Sequence, residues 1–311
     1  MNSIVLTLII AAAVLLLALS AVCVYFFRFA HRRTDHMTDQ LLSSDVRVAY
    51  RDMVTSGLAY IDSHEHEQLT VTSFDGLTLH GIYVPTPNAR AAILCFHGYR
   101  SEGLQDFAPM PEFYNSLGLN VLIVDQRACG KSQGKYTTFG ILERQDVVTW
   151  ANYMDKRLGG MPLLLDGISM GASSVMLAAD LPLPASVKGI IADCGFTSPW
   201  DIIAHCGKQW FHIPPFPLVH ILSGAARLMF GGGYRSCSTL TSLANSFHPL
   251  LLLHGGEDDF VPTYMSEENY KAAAGYKRKL IVPGAGHGMS YLIDQQRCQQ
   301  ELRDFVDKLF S

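Results

Sequence analysis

Six short strand-like runs limit what this chain can fold into more than any other feature. They are Ala91–Phe96, Asn120–Val124, Pro162–Leu165, Val187–Ala192, Leu250–Leu253 and Lys279–Val282. Stretches of helical spacing separate several of them, at 106–117, 141–158 and 170–181, and Gln295–Phe310 closes the chain. In the second of these, Val147, Ala151, Met154 and Leu158 fall on one helical face. Continuous apolar strands that alternate with helices predict a parallel sheet covered on both faces. Ahead of them, Leu69-Val71-Ser73 and Leu77-Leu79-Gly81 alternate about an Asp75-Gly76 turn, which predicts a hairpin over 68–84. The expectation is an α/β fold with a mostly parallel eight-stranded sheet.

One strand–helix junction carries chemistry. Gly167-Ile168-Ser169-Met170-Gly171 follows a strand and opens a helix, the setting in which Gly-x-Ser-x-Gly works as a sharp nucleophile turn. A serine hydroxyl needs a base, and the base needs an orienting carboxylate. Both follow in the order Ser, Asp, His. Asp258 lies after the strand at 250–253, with Glu257 and Asp259 as adjacent competitors. His287 lies between glycines after the last strand. The oxyanion of a tetrahedral intermediate would take backbone N–H groups from Met170 and from Tyr99, in the loop His97-Gly98-Tyr99. His97 itself reads as structural.

From about Gln68 onward, the chain resembles the α/β-hydrolase superfamily, and within it the membrane-anchored bacterial serine esterases and lipase-like hydrolases. The segments that carry the resemblance are Cys95-Phe96-His97-Gly98, Asp125 to Ser132, Gly167 to Gly171, Asp193 to Ser198, and His254-Gly255 through Val261-Pro262. The resemblance implies the α/β-hydrolase fold and structural roles for Asp125 and Arg127. Cys129 departs from the His or Gly that related chains often carry there.

No charged residue lies between Ile4 and Phe27, long enough to cross a bilayer as a helix. No Lys or Arg precedes that run, as a signal peptide would ordinarily require, so an uncleaved anchor is expected. Arg28, Arg32 and Arg33 follow it, and the positive-inside rule then predicts a cytoplasmic catalytic domain. The expected organisation is an anchor at 1–33, a polar connector at 34–66 and a hydrolase domain at 67–311. The 24 basic and 28 acidic residues are near balance, without the basic patch a nucleic-acid partner needs. The seven cysteines lack metal-binding spacing and read as buried free thiols; no metal and no cofactor are expected.

From 197 to 247 the alternation stops. Leu218, Ile221, Leu222, Ala225, Leu228 and Met229 recur there at helical spacing, after a stretch rich in aromatics and prolines. An insertion of this length reads as a helical cap over the site. Trp210, Phe211, Phe216 and Leu222 are its candidate substrate-binding residues. The expected reaction is hydrolysis of a small-molecule carboxylic ester with a small to medium apolar acyl group. Peptidase or amidase chemistry on the same triad is the alternative. A non-catalytic binding role is a third reading, opposed by the intact triad.

Overall fold

The structure, a computed structural model, describes residues 3–34 and 44–310. The stretch 35–43 of the expected connector lies outside the described residues.

The chain opens with two helices, α1 (Ser3–His31) and α2 (Ser44–Ser63), followed by the hairpin β1 (Glu67–Thr72) and β2 (Thr78–Val84). Its turn is closed by Ser73, whose hydroxyl donates to Asp75 at 2.6 Å, and by Gly76 at φ +88°. The alternating part runs β3 (Ala91–Phe96), α3 (Gly103–Phe107), α4 (Pro111–Ser116), β4 (Leu119–Asp125), α5 (Glu143–Arg157), β5 (Leu163–Ile168), α6 (Met170–Leu177) and β6 (Val187–Asp193). Three helices follow without a strand: α7 (Pro199–Phe211), α8 (Leu218–Phe230) and α9 (Thr239–Ala244). The chain then completes the sheet with β7 (Leu250–Gly255), α10 (Tyr264–Ala272), β8 (Lys277–Val282), α11 (Ser290–Ile293) and α12 (Gln295–Phe310).

The eight strands form one sheet in the order β1-β2-β4-β3-β5-β6-β7-β8. Only the β1–β2 and β2–β4 pairings are antiparallel. β3 is buried along its whole length. Its Ala92, Leu94 and Phe96 join the core on one face, and Ala91, Ile93 and Cys95 join the core on the other. This is the period-2 alternation of a strand whose two faces both carry helices. Two expected helices differ in extent. The one expected over 106–117 is broken into α3 and α4, because Pro109 and Pro111 each lack an N–H for the helical ladder. The one expected to reach Leu181 ends at Leu177, four residues earlier and ahead of Pro182, which disfavours helical backbone in the residue before it.

The apolar recurrence along α8 does not form one stripe. Leu218 and Leu222 are buried, whereas Ile221, Leu228 and Met229 point outward. The helix is apolar nearly all round, so periodicity could not decide which side finds a partner. That partner is the last part of α1. Phe27 shares an apolar cluster with Leu218, Leu222 and Ala226, and its ring stacks on Phe230 at 5.8 Å. His31 is fully buried; one ring nitrogen meets the Thr137 carbonyl at 2.7 Å and the other the Tyr234 hydroxyl at 2.6 Å. Upstream of Cys23, α1 stands clear of the domain, and none of its most apolar window is covered by protein.

Candidate active site

Ser169, Asp258 and His287 each follow the carboxyl end of a parallel strand, respectively β5, β7 and β8. The strand order reverses between β3 and β5, and crevices form at such switch points. The loop after β3 therefore runs beside the loop after β5. A Cβ built on Gly98 would sit 3.5 Å from that of Ser169.

Ser169 adopts φ +54° and ψ −112°, a strained setting for a non-glycine residue. The two flanking glycines make it possible. A Cβ on Gly171 would overlap the carbonyl oxygen of Phe96, and one on Gly167 would overlap the backbone of Gly171 and Ala172. The elbow is thus pressed directly against β3, with no space between for side chains.

His287 lies between the other two residues. Its Nδ1 is 2.7 Å from Asp258 Oδ2, and its Nε2 is 2.8 Å from Ser169 Oγ. An ionised carboxylate only accepts, so the proton belongs on Nδ1, and Nε2 is left to accept from the serine hydroxyl. Asp258 is fully engaged. Its Oδ1 accepts from the N–H groups of Phe260 at 3.0 Å and Val261 at 2.8 Å. Its Oδ2 also faces His254 Nε2 at 3.2 Å. Burial alone would push this carboxyl up, but hydrogen bonds from His254 and His287, with their charge, outweigh it and hold it down to about 2. The neighbouring Glu257 and Asp259 are exposed to solvent.

His254 is the residue that sequence reasoning passed over. It is fully buried, its Nε2 also reaches the Val261 carbonyl at 2.8 Å, and its Nδ1 meets Ser266 Oγ at 2.5 Å. Burial opposes its charge, yet the hydrogen bond and charge of Asp258 raise its pKa. The available signal was its place at the end of β7, four residues before the carboxylate.

Met170 opens α6, so its N–H belongs to the first turn, where no intrahelical acceptor exists. Tyr99 follows Gly98 in the adjoining loop, and its ring stacks on Phe139 at 4.9 Å. His97 fixes that loop from below: its Nδ1–H donates to the Gly98 carbonyl, and its Nε2 accepts from the N–H of Gln126 at 3.0 Å. Arg127, almost fully buried, grips Asp146 at 2.6 and 2.7 Å and reaches Asp75 at 2.9 Å. Asp125 accepts from the N–H groups of Gly103 and Lys131. These contacts are structural.

Of the four residues expected to bind substrate, Trp210 is linked to His287 through ring contacts. Its ring is 5.0 Å from Phe260, whose ring lies 4.6 Å from that of His287. Phe211 turns instead to α1, meeting Phe26 at 5.0 Å and Phe29 at 5.6 Å. Leu222 is buried in the cluster with Phe27, and Phe216 is 72% exposed with its ring beside His220.

The family model described as serine aminopeptidase, S33, matches residues 87–223. The solved esterase Pf2001 of Pyrococcus furiosus superposes with a TM-score of 0.65 at 20% identity, over 91% of this chain and 100% of that one. Est1E of Butyrivibrio proteoclasticus, solved with ferulic acid, gives 0.63 at 18% identity over 78% and 98%. The chain has the α/β-hydrolase fold. YqkD, an uncharacterised protein of Bacillus subtilis, is 27% identical to this chain over 246 residues, 79% of this chain and 80% of that one.

Cys194, Asp258 and His287 are near enough for their donor atoms to meet one ion. Their chemistry argues against it. The acceptor positions of Asp258 are taken by N–H groups, and burial pushes the Cys194 thiol well up, against the thiolate a metal requires.

Proposed function

We propose that this chain is a member of the α/β-hydrolase superfamily and a serine carboxylic-ester hydrolase that works through an acyl-enzyme. The observation that carries the reading is the continuous relay Ser169 Oγ–His287 Nε2 at 2.8 Å and His287 Nδ1–Asp258 Oδ2 at 2.7 Å. In this reading Ser169 Oγ attacks the acyl carbonyl while His287 takes its proton. The carbonyl oxygen becomes an oxyanion between the N–H groups of Tyr99 and Met170. The intermediate collapses, the ester C–O bond breaks, and His287 returns the proton to the departing alcohol. Water then enters, gives its proton to His287, and attacks the acyl-serine, releasing the acid and restoring Ser169. Asp258 holds the imidazole tautomer and stabilises the imidazolium. His254 is a positioning residue that fixes the carboxylate from its far side.

The acyl group is small to medium and apolar, in line with the Phe260 ring beside His287 and the Trp210 ring against Phe260. Pf2001 is an esterase and Est1E binds ferulic acid, a carboxylic acid, and both agree with the ester class. The family model's name, serine aminopeptidase, favours amide cleavage instead. The deciding experiment compares kcat/KM on a matched butanoyl ester and butanoyl anilide. The ester should lead by more than the difference in their uncatalysed hydrolysis. An anilide that matches or exceeds the ester would move the assignment to amidase. We further propose that α1 is an uncleaved membrane anchor.

A further inference from the structure

Three observations locate the cap relative to a membrane. The residues of α1 that pack on the domain begin inside its uncharged run. Phe26 meets Phe211 of α7, Phe27 meets Phe230 of α8, and Cys23 packs against the same cluster one turn earlier. Whatever touches 23–27 lies at the depth of the bilayer surface when α1 spans it, since about 20 residues of such a helix fill the hydrocarbon.

The outer face of the cap is apolar and basic. Leu228 is 90% exposed, with Ile221, Met229, Phe216 and Trp210 also exposed. Exposed apolar groups gathered on one element mark an interaction surface. From 199 to 235 the only carboxylate is Asp201, which the hydroxyls of Thr197 and Ser198 engage at 2.6 Å each, whereas Lys208, Arg227 and Arg235 are exposed. An apolar face ringed by cations and aromatics is the make-up of an element lying in a lipid headgroup layer.

The end of α1 also reaches the triad's mouth. The Tyr99 hydroxyl donates to the Ala30 carbonyl at 2.6 Å, and Ala30 packs into the cluster that holds Met170. Trp210 and Phe211, adjacent in sequence, lead one way to His287 through Phe260 and the other way to α1.

We propose that the outward face of α8 and the C-terminal end of α7 rest on the lipid bilayer around α1, and that the hydrolase takes its ester from that bilayer rather than from water. The proposal rests on the ester-hydrolase reading and on α1 as an anchor. The ester is an apolar one that partitions into the membrane, its carbonyl at headgroup level beside Tyr99.

The test uses the full chain reconstituted into phosphatidylcholine vesicles containing a fifth phosphatidylglycerol, with a portion of the lipid brominated near the headgroup end of its acyl chains. Bromine should quench the fluorescence of Trp210 and leave buried Trp150 bright; the Trp210→Phe protein should lack the quenched component. In the same vesicles, Leu228→Glu with Met229→Glu should lower hydrolysis of membrane-dissolved p-nitrophenyl octanoate about tenfold, since losing one buried leucine's transfer energy is roughly a tenfold change. Hydrolysis of water-soluble p-nitrophenyl acetate should hold. Unquenched Trp210 in an enzyme retained by the vesicles would overturn the proposal, as would equal activity of both proteins on the octanoate. If the glutamate protein also lost acetate hydrolysis, wild-type quenching alone would decide. A wild-type protein that is quenched but hydrolyses neither ester would instead defeat the proposed chemistry.

Discussion

The elbow and the cap hold their residues by opposite means. Around Ser169 the backbone itself is the constraint: Gly171 admits direct contact of α6 with β3, Gly167 admits the start of α6 against the turn, and one strained residue points its hydroxyl at His287. Around α8 the constraint is side-chain packing against α1, a helix about 200 residues earlier in the chain. The elbow therefore tolerates almost no change, whereas α8 is held through side-chain contacts.

The largest effect should come from the triad side. Asp258→Asn should lower kcat on the order of 10⁴-fold while the fold is kept, as removal of the orienting carboxylate does in comparable triads. Glu257→Gln and Asp259→Asn, both at exposed positions, should change kcat by less than tenfold. Steady-state kinetics with circular dichroism checks all three, and a crippled Asp259→Asn would displace the carboxylate by one residue.

On the cap side the same residue type should behave in two ways. Leu222→Ala removes a buried side chain from the α1–α8 cluster and should cost about 2–5 kcal/mol of stability. Leu228→Ala, at an exposed position, should cost less than about 0.5 kcal/mol. Denaturant melts of both proteins compare them. Equal costs would mean that α8 is not seated on α1 as described.

A smaller effect sharpens the elbow side. Burial pushes the Asp166 carboxyl, just before the elbow, up to about 7; the hydrogen bond from Tyr114 opposes this and the charge of Asp193 adds to it. The folded state then keeps a proton that the unfolded chain sheds near pH 4. Stability from this group is present below pH 4 and declines as pH rises towards 7. Asp166→Asn should remove that decline, so its stability relative to wild type should be greater at pH 8 than at pH 5 by on the order of 2 kcal/mol. Urea titrations at the two pH values measure the difference, and an unchanged gap would show that Asp166 is ionised in the fold.

What the sequence made legible follows the same division. The elbow, its glycines and the order Ser, Asp, His are short-range signals, each tied to a strand end. The six core runs and the Asp75-Gly76 hairpin are equally local. The docking of α1 was not legible, because it depends on contacts such as His31 with Tyr234 and Phe26 with Phe211 that no periodicity encodes. The split of the α8 recurrence into Leu222 inward and Leu228 outward depends on that docking and was hidden with it. His254 was overlooked for a different reason: its place at the end of β7, four residues before the carboxylate, does not by itself separate it from a core histidine.

The proposed nucleophile is Ser169. Intact-mass analysis after exposure to a fluorophosphonate measures this directly. The wild-type protein should gain one adduct, mapped by peptide sequencing to Ser169, and a folded Ser169→Ala protein should gain none. An adduct of equal yield on the folded Ser169→Ala protein would contradict the assignment.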